Sequence, residues 1–247
     1  SSRFIRLDLR GGGGGCGLGI VRVEVEPHEF SRSINAFFAA IAQRARPGLY
    51  PKYLLGRQTY WTPVGTGDDV TQALLNEEGM VEVDKGGFCV EPFLYAGGRL
   101  VTWADAALTQ TLERDYLPIP SSHWRAGDLK LTITAYATGP CGASTLFVRY
   151  RVGNASPVTR TLTLFVAIRP FQVTPTWQHW QRFGGVRGIG ELAYASGVVW
   201  VDGGKPIVAL TSPSGFGAAS FAQGGITELL KEGELPRQEH VRDTFGY

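Results

Sequence analysis

The chain is short of the residue types from which the most legible sites are built. Its 247 residues hold three cysteines, one methionine and four histidines. Cys16, Cys89 and Cys141 cannot all pair within one chain and show no metal-ligand spacing. Free thiols and a reducing, cytoplasmic setting are therefore the expectation, with a secreted protein carrying one disulfide as the alternative. The scattered histidines make no metal motif. Charge of one sign is also lacking: the net charge is +2, and no run of Lys and Arg supplies the basic field of a nucleic-acid binder. No apolar stretch approaches the roughly 20 residues of a membrane-spanning helix. The start, Ser-Ser-Arg-Phe-Ile-Arg, has neither an initiator Met nor the features of a signal peptide, and the chain stops at Phe245-Gly246-Tyr247. A segment of a longer protein is the expectation.

What the chain has in plenty is glycine, proline and short alternating runs. With 33 Gly, 14 Pro and 43% hydrophobic residues it suits many short strands joined by turns. The clearest pattern is Thr145 to Phe171. Leu146, Val148, Tyr150 and Val152 alternate with Phe147, Arg149 and Arg151, and after Gly153-Asn154-Ala155-Ser156-Pro157 the alternation resumes with Leu162, Leu164, Val166 and Ile168. Period two is the signature of a strand, so the pair reads as an antiparallel hairpin whose apolar face needs a second sheet. Further strands are read over 54–63, 79–95, 99–104, 129–137, 192–201, 207–211 and 216–222, with a short helical turn at Ile226–Glu232.

One stretch is helical. Phe30, Ile34, Phe37, Phe38, Ile41 and Ala45 form a single apolar stripe, with Ser31 as the expected N-cap and Pro47-Gly48 as the stop. The stripe suits either a partner or packing on the sandwich. The expected fold is mainly β, a large antiparallel β-sandwich (supersandwich) with one N-terminal amphipathic helix. It divides into end strands at 1–26 around the Gly11 to Gly15 loop, a helical linker at 27–48 and the sandwich at 49–247.

Chemistry points to aromatics rather than to ions. Thr174 to Phe183, TPTWQHWQRF, sets Trp177, His179 and Trp180 beside Gln181 and Arg182, and Tyr60 and Trp61 lie in a similar strand context. Sugars rest their apolar faces on aromatic rings while amides, guanidinium and carboxylate groups bond the hydroxyls, so these residues are the candidate carbohydrate-binding set. The competing reading of each Trp is a filler of a wide core. Glycoside hydrolysis needs two carboxyl groups across one bond. Glu77, Glu78, Asp68, Asp69, Asp84, Glu91 and Asp105 are available, but spacing alone pairs none of them, so no catalytic residue is assigned. Gly184 to Gly190 is Gly-rich yet lacks the following helix and Lys of a phosphate loop. No cofactor and no metal is expected.

Two resemblances extend this reading. RFIRLDLR, a Gly-rich loop and GLGIVRVEV resemble the last strands of a discoidin (coagulation factor 5/8 type C) domain over residues 1–26. YLLGRQTYWTPVG (53–65), NEEGMVEVDKGGFCVEPFLY (76–95) and VRYRVGNASPVTRTLTLFVAI (148–168) together resemble the N-terminal supersandwich, of the galactose-mutarotase-like type, in modular bacterial carbohydrate-active proteins. There the sandwich precedes an (α/α)₆ glycosidase or phosphorylase barrel that carries the catalytic carboxylates. The resemblance implies a non-catalytic, carbohydrate-associated domain whose partners are a sugar and a C-terminal (α/α)₆ domain of the same polypeptide, with neither nucleic acid nor membrane. Two alternatives stand beside it: a free-standing mutarotase, epimerase or lyase on a supersandwich, and a purely structural interdomain module.

Overall fold

A computed structural model describes residues 28–179 and 184–243. The expected end strands at 1–26 and Cys16 lie outside the described residues. The helical stripe is divided in two, α1 (His28–Ser31) and α2 (Ile34–Arg44). Ser33 rather than Ser31 caps α2, because its backbone is extended and its Oγ accepts from the Ala36 amide at 3.1 Å. Ser31 donates instead to the carbonyl of His28. The stripe turns inward: Phe38 meets Phe171 edge-on at 5.3 Å and Phe37 meets Phe221 at 5.5 Å. Phe38 and Ala42 are wholly buried, so of the two readings of this stripe the structure shows packing on the sandwich.

The strands come in the order β1 (Trp61–Val64), β2 (Ala73–Asn76), β3 (Val81–Glu82), β4 (Cys89–Ala96), β5 (Arg99–Val101), β6 (Ala107–Glu113) and β7 (Leu117–Ala126). After them run β8 (Leu129–Thr138), β9 (Thr145–Asn154), β10 (Leu162–Arg169), β11 (Glu191–Ala195), β12 (Val198–Val201), β13 (Lys205–Val208) and β14 (His240–Arg242). A short helix, α3 (Thr227–Lys231), stands where the helical turn is expected. Three antiparallel sheets result. The first is β1-β2-β3-β4-β10 with β5 on β4, the second β6-β7-β8-β9, and the third β13-β12-β11-β14. The chain is a mainly-β sandwich.

Alternation along β4 and β10 decides what each side of the first sheet covers. Cys89, Phe93, Phe165 and Ala167 face α2 and share a core with Leu49, Tyr50, Tyr53 and Phe171. Leu94, Leu162 and Leu164 face the second sheet and pack with Trp103, Trp124, Leu131 and Ile133. Val90 and Ile168 join Leu192 and Val201 under the third sheet.

The Thr145–Phe171 pattern is not a hairpin. β9 pairs with β8 along its whole length, and β10 pairs with β4 in the other sheet. The link over 155–161 crosses between sheets, started by Asn154, whose Oδ1 accepts from the Ser156 amide and whose Nδ2 donates to the Val158 carbonyl. The two apolar faces therefore meet across the sandwich instead of lying side by side. Residues 54–63 are also less regular than a strand. A 3-10 turn at Lys52–Leu55 ends on Gly56 at φ +74°, and β1 begins only at Trp61.

Candidate functional site

The expected sugar-binding residues converge only in part. Trp177 is 56% exposed and stands edge-on to Tyr53, ring centroids 6.2 Å apart. Together they wall a hollow of about 190 Å³ with Asn35, Gln43, Thr176 and Gly185. Asn35, Ala39 and Gln43 reach it from α2 at i, i+4 and i+8, the helix face next to the buried stripe. Tyr53 is buried and its hydroxyl donates to the Gly185 carbonyl at 2.9 Å. Burial pushes that phenol well above its usual range, which keeps it a neutral hydrogen-bond donor. On the far wall, Asn35 Oδ1 accepts from the Val186 amide at 2.7 Å.

Glycine is required where this wall turns. Gly184 and Gly185 have φ of +111° and +89°. A Cβ on Gly184 would lie 2.2 Å from the Thr174 carbonyl oxygen, and one on Gly185 2.0 Å from Asn35 Oδ1. The Gly-rich stretch is thus a close backbone crossing, which lets the 174–177 loop, α2 and Tyr53 meet at one point.

The other candidate residues take different positions. Gln178 ties the loop to the strand entrance: its Oε1 accepts from the Thr59 amide and its Nε2 donates to the Thr59 carbonyl, both at 2.8 Å. That two-point clamp holds Tyr60, which is 60% exposed, in the same neighbourhood as Trp177. The Lys52 ammonium lies 5.8 Å from the Tyr60 ring and is ion-paired to Glu77. Trp61 is half-buried against the α2-side core, a packing role. His179 is half-buried as well. Trp180, Gln181 and Arg182 lie outside the described residues. Trp103 and Trp124 are buried fillers whose indole N–H groups donate to the carbonyls of Tyr50 and Glu78.

Apart from Asp68, the candidate carboxylates are engaged within the fold. Glu91 is ion-paired to Arg169, both side chains almost fully buried. Glu77 accepts from the Tyr60 amide, Glu78 from the Lys52 amide, and Glu82 from the Gly86 and Val173 amides at 2.6 Å. Asp69 accepts from Ser144, Asp84 pairs with Lys205, and Asp105 holds Thr102 and Arg46. Burial pushes Glu78 well above the usual carboxylate range, against the pull of the Lys52 amide. Glu82 and Glu91 are raised by the same cause, opposed by backbone amides and by Arg169 respectively. Among the described residues no group of three or more His, Cys, Asp or Glu is placed to hold a metal ion, and no helix is long and apolar enough to cross a membrane.

A second hollow, about 560 Å³, opens at the end of the sandwich between the β4–β5 and β7–β8 turns, lined by Arg99, Asp105, Asp128, Leu129 and Arg160. Its acids are occupied, Asp128 by Arg160 and Asp105 by Arg46.

Comparison with protein-family models, with curated proteins and with solved structures finds no match for this chain. Geometry alone therefore speaks for the site. Of the residues expected from sequence, Trp177 lines this hollow and Tyr60 does not, while Asn35, Gln43, Tyr53 and Thr176 line it without having been among them. Asn35 and Gln43, two polar residues at i and i+8 beside the apolar stripe of α2, were the signal available for it.

Proposed function

We propose that this chain is a carbohydrate-associated β-sandwich domain that binds a sugar ring at the Trp177 hollow without itself catalysing a reaction. One observation carries the reading: a largely exposed indole, fixed edge-on by a buried tyrosine, faces a recess lined by two side-chain amides and a hydroxyl. An indole face suits the C–H face of a pyranose, and Asn35, Gln43 and Thr176 supply donors and acceptors for its hydroxyls. The hollow is smaller than the ~300–1,000 Å³ of drug-sized ligand sites, which favours one ring at the end of a glycan. Commitment of the nearby carboxylates to backbone amides and cations supports binding over hydrolysis. The resemblance to the N-terminal supersandwich of modular glycosidases makes the natural setting a larger polypeptide in which this domain presents or holds the substrate.

Calorimetry against a panel of neutral oligosaccharides tests the reading. At least one glycan binds, and Trp177→Ala weakens it about tenfold, near 1.4 kcal/mol. Affinity unchanged by that substitution, or no binding across the panel, overturns it.

A further inference from the structure

The second sheet has an outer face of its own, on the side away from the core. Register fixes which side chains share that face. Arg125 is opposite Lys130, His123 opposite Thr132, and Ser121 opposite Thr134. On the next strand Thr132 faces Arg151, Thr134 faces Arg149, and Tyr136 faces Phe147. The opposite set, Trp124, Leu131, Ile133 and Ala135, is buried in the core. The outer face is therefore a grid of cations and hydroxyls closed at one end by Tyr136 and Phe147, which stack at 5.2 Å.

Its charge is one-sided. The four strands contain Arg125, Lys130, Arg149 and Arg151 but a single carboxylate, Glu113, at the end of β6. All four cations are exposed, and none forms an ion pair among the described residues. Arg125 and Lys130 are direct cross-strand partners, an arrangement that like charges disfavour. A chain with a net charge of only +2 has concentrated unpaired positive charge on one face. Between the cations the hydroxyls are held in fixed rows. Thr111 and Thr132 bracket the His123 ring at 2.9 and 3.0 Å, and Ser121 meets Thr134 at 2.8 Å. Thr134 is buried among its neighbours, and it is Thr111, Thr132 and Ser121 that keep hydrogen-bonding capacity toward a ligand.

We propose that this face binds an acidic polysaccharide, a chain of uronic-acid residues lying along β8 and β9. Arg149 and Arg151 take the carboxylates as planar, two-point partners, and Lys130 and Arg125 extend the strip. From Lys130 to Tyr136 it runs about 20 Å at ~3.4 Å per residue, an oligosaccharide length. The Ser and Thr rows meet the sugar hydroxyls. A protein partner would want a central apolar anchor pocket, and a single-stranded nucleic acid would want open ring faces for its bases. Here the two rings are stacked on each other at the end of the strip, so a glycan fits better than either. The proposal stands apart from the Trp177 hollow, which lies beside α2 on the other side of the first sheet.

Titration of the full chain with oligogalacturonate, with a neutral oligosaccharide of the same length and with a single-stranded DNA of similar charge tests it. Oligogalacturonate binds, its affinity falls steeply as salt rises from 50 to 200 mM, and Arg149→Gln/Arg151→Gln weakens it at least tenfold while Trp177→Ala leaves it unchanged. Circular dichroism and melting of the double variant match the parent, since both side chains are exposed. Absence of oligogalacturonate binding, tighter binding of the DNA, equal binding of the neutral sugar, or full affinity in the double variant each overturns the proposal.

Discussion

Glu91 and Arg169 make the sharpest demand on the fold, and they answer differently to being parted. Their side chains are 4% and 1% exposed. Arg169 also donates to the Leu49 carbonyl at 2.7 Å and lies 4.5 Å from the Phe171 ring and 5.0 Å from that of Tyr50. Glu91→Gln keeps the shape and deletes the counter-charge, leaving a buried guanidinium that cannot shed its proton. Breaking a buried pair this way costs about 3–5 kcal/mol. For a domain of this size that is roughly a 6–20 °C fall in Tm. Arg169→Met strands the carboxylate instead, and a carboxylate has an escape: it takes up a proton.

The sign of that escape follows from linkage. Burial already raises Glu91, and Arg169 pulls against the rise. Without Arg169 the folded state holds the proton more tightly than the unfolded chain does. A contribution of that kind is fully present below the unfolded value and is lost as pH rises through the folded one. The deficit of Arg169→Met therefore shrinks between pH 8 and pH 5, and that of Glu91→Gln does not. Urea unfolding of both variants at the two pH values, followed by fluorescence and circular dichroism, is the assay. A loss under about 1 kcal/mol in Glu91→Gln, or parallel pH slopes in the two variants, refutes the reasoning.

The crossing glycines and the thiols give two further expectations. Gly185→Ala drives a Cβ into Asn35 from a φ of +89°, so it both lowers the melting temperature and weakens neutral-sugar binding at Trp177, read by melting and calorimetry on one sample. A melt within 1 °C of the parent contradicts the close crossing. Cys141 is exposed and Cys89 buried, with burial pushing the Cys89 thiol well up. In a Cys16→Ser background a thiol reagent therefore titrates one group in the native chain and a second only in denaturant; immediate reaction of two groups rules out the buried Cys89.

How much of this was legible follows from what each residue had to report. Alternation in 145–152 and 162–168 marked both strands, but on β10 the fully buried side is Phe165 and Ala167, while Val166 of the expected apolar face is 44% exposed. This strand lies between two layers and has apolar residues on both sides. Alternation could not say whether the two strands lie side by side or face to face, because period two is identical in both cases. A seven-residue link in place of a two-residue turn was the available clue. The β6–β7 hairpin went unread for another reason. Its outward rows are Thr, Ser and His, and Pro118 and Pro120 sit inside β7, so the apolar signal is thin. The helix was plain, yet its cap slipped by two residues because Ser31 and Ser33 are equally good caps by type. At the candidate site Trp177 stood out in the sequence as part of an aromatic run. The side-chain amides of Asn35 and Gln43 and the Tyr53 ring came from residues more than a hundred positions away, joined through the Asn35–Val186 and Tyr53–Gly185 bonds.

Coverage of the first sheet also constrains where any ligand can meet this domain. α2 closes one face and the second sheet closes the other, and two of its acids, Glu82 and Glu91, are buried. Two of the places described above lie clear of that coverage: a rim where loops and a helix meet, and the outer side of the second sheet. They are built differently. At the rim the Trp177 hollow is assembled from three separate segments and depends on one glycine crossing. The basic grid is set by continuous ladder pairing, which no single loop controls. Gly185→Ala should accordingly weaken neutral-sugar binding while leaving oligogalacturonate binding intact at any temperature below the melt. Loss of both together would mean that the two surfaces report one site.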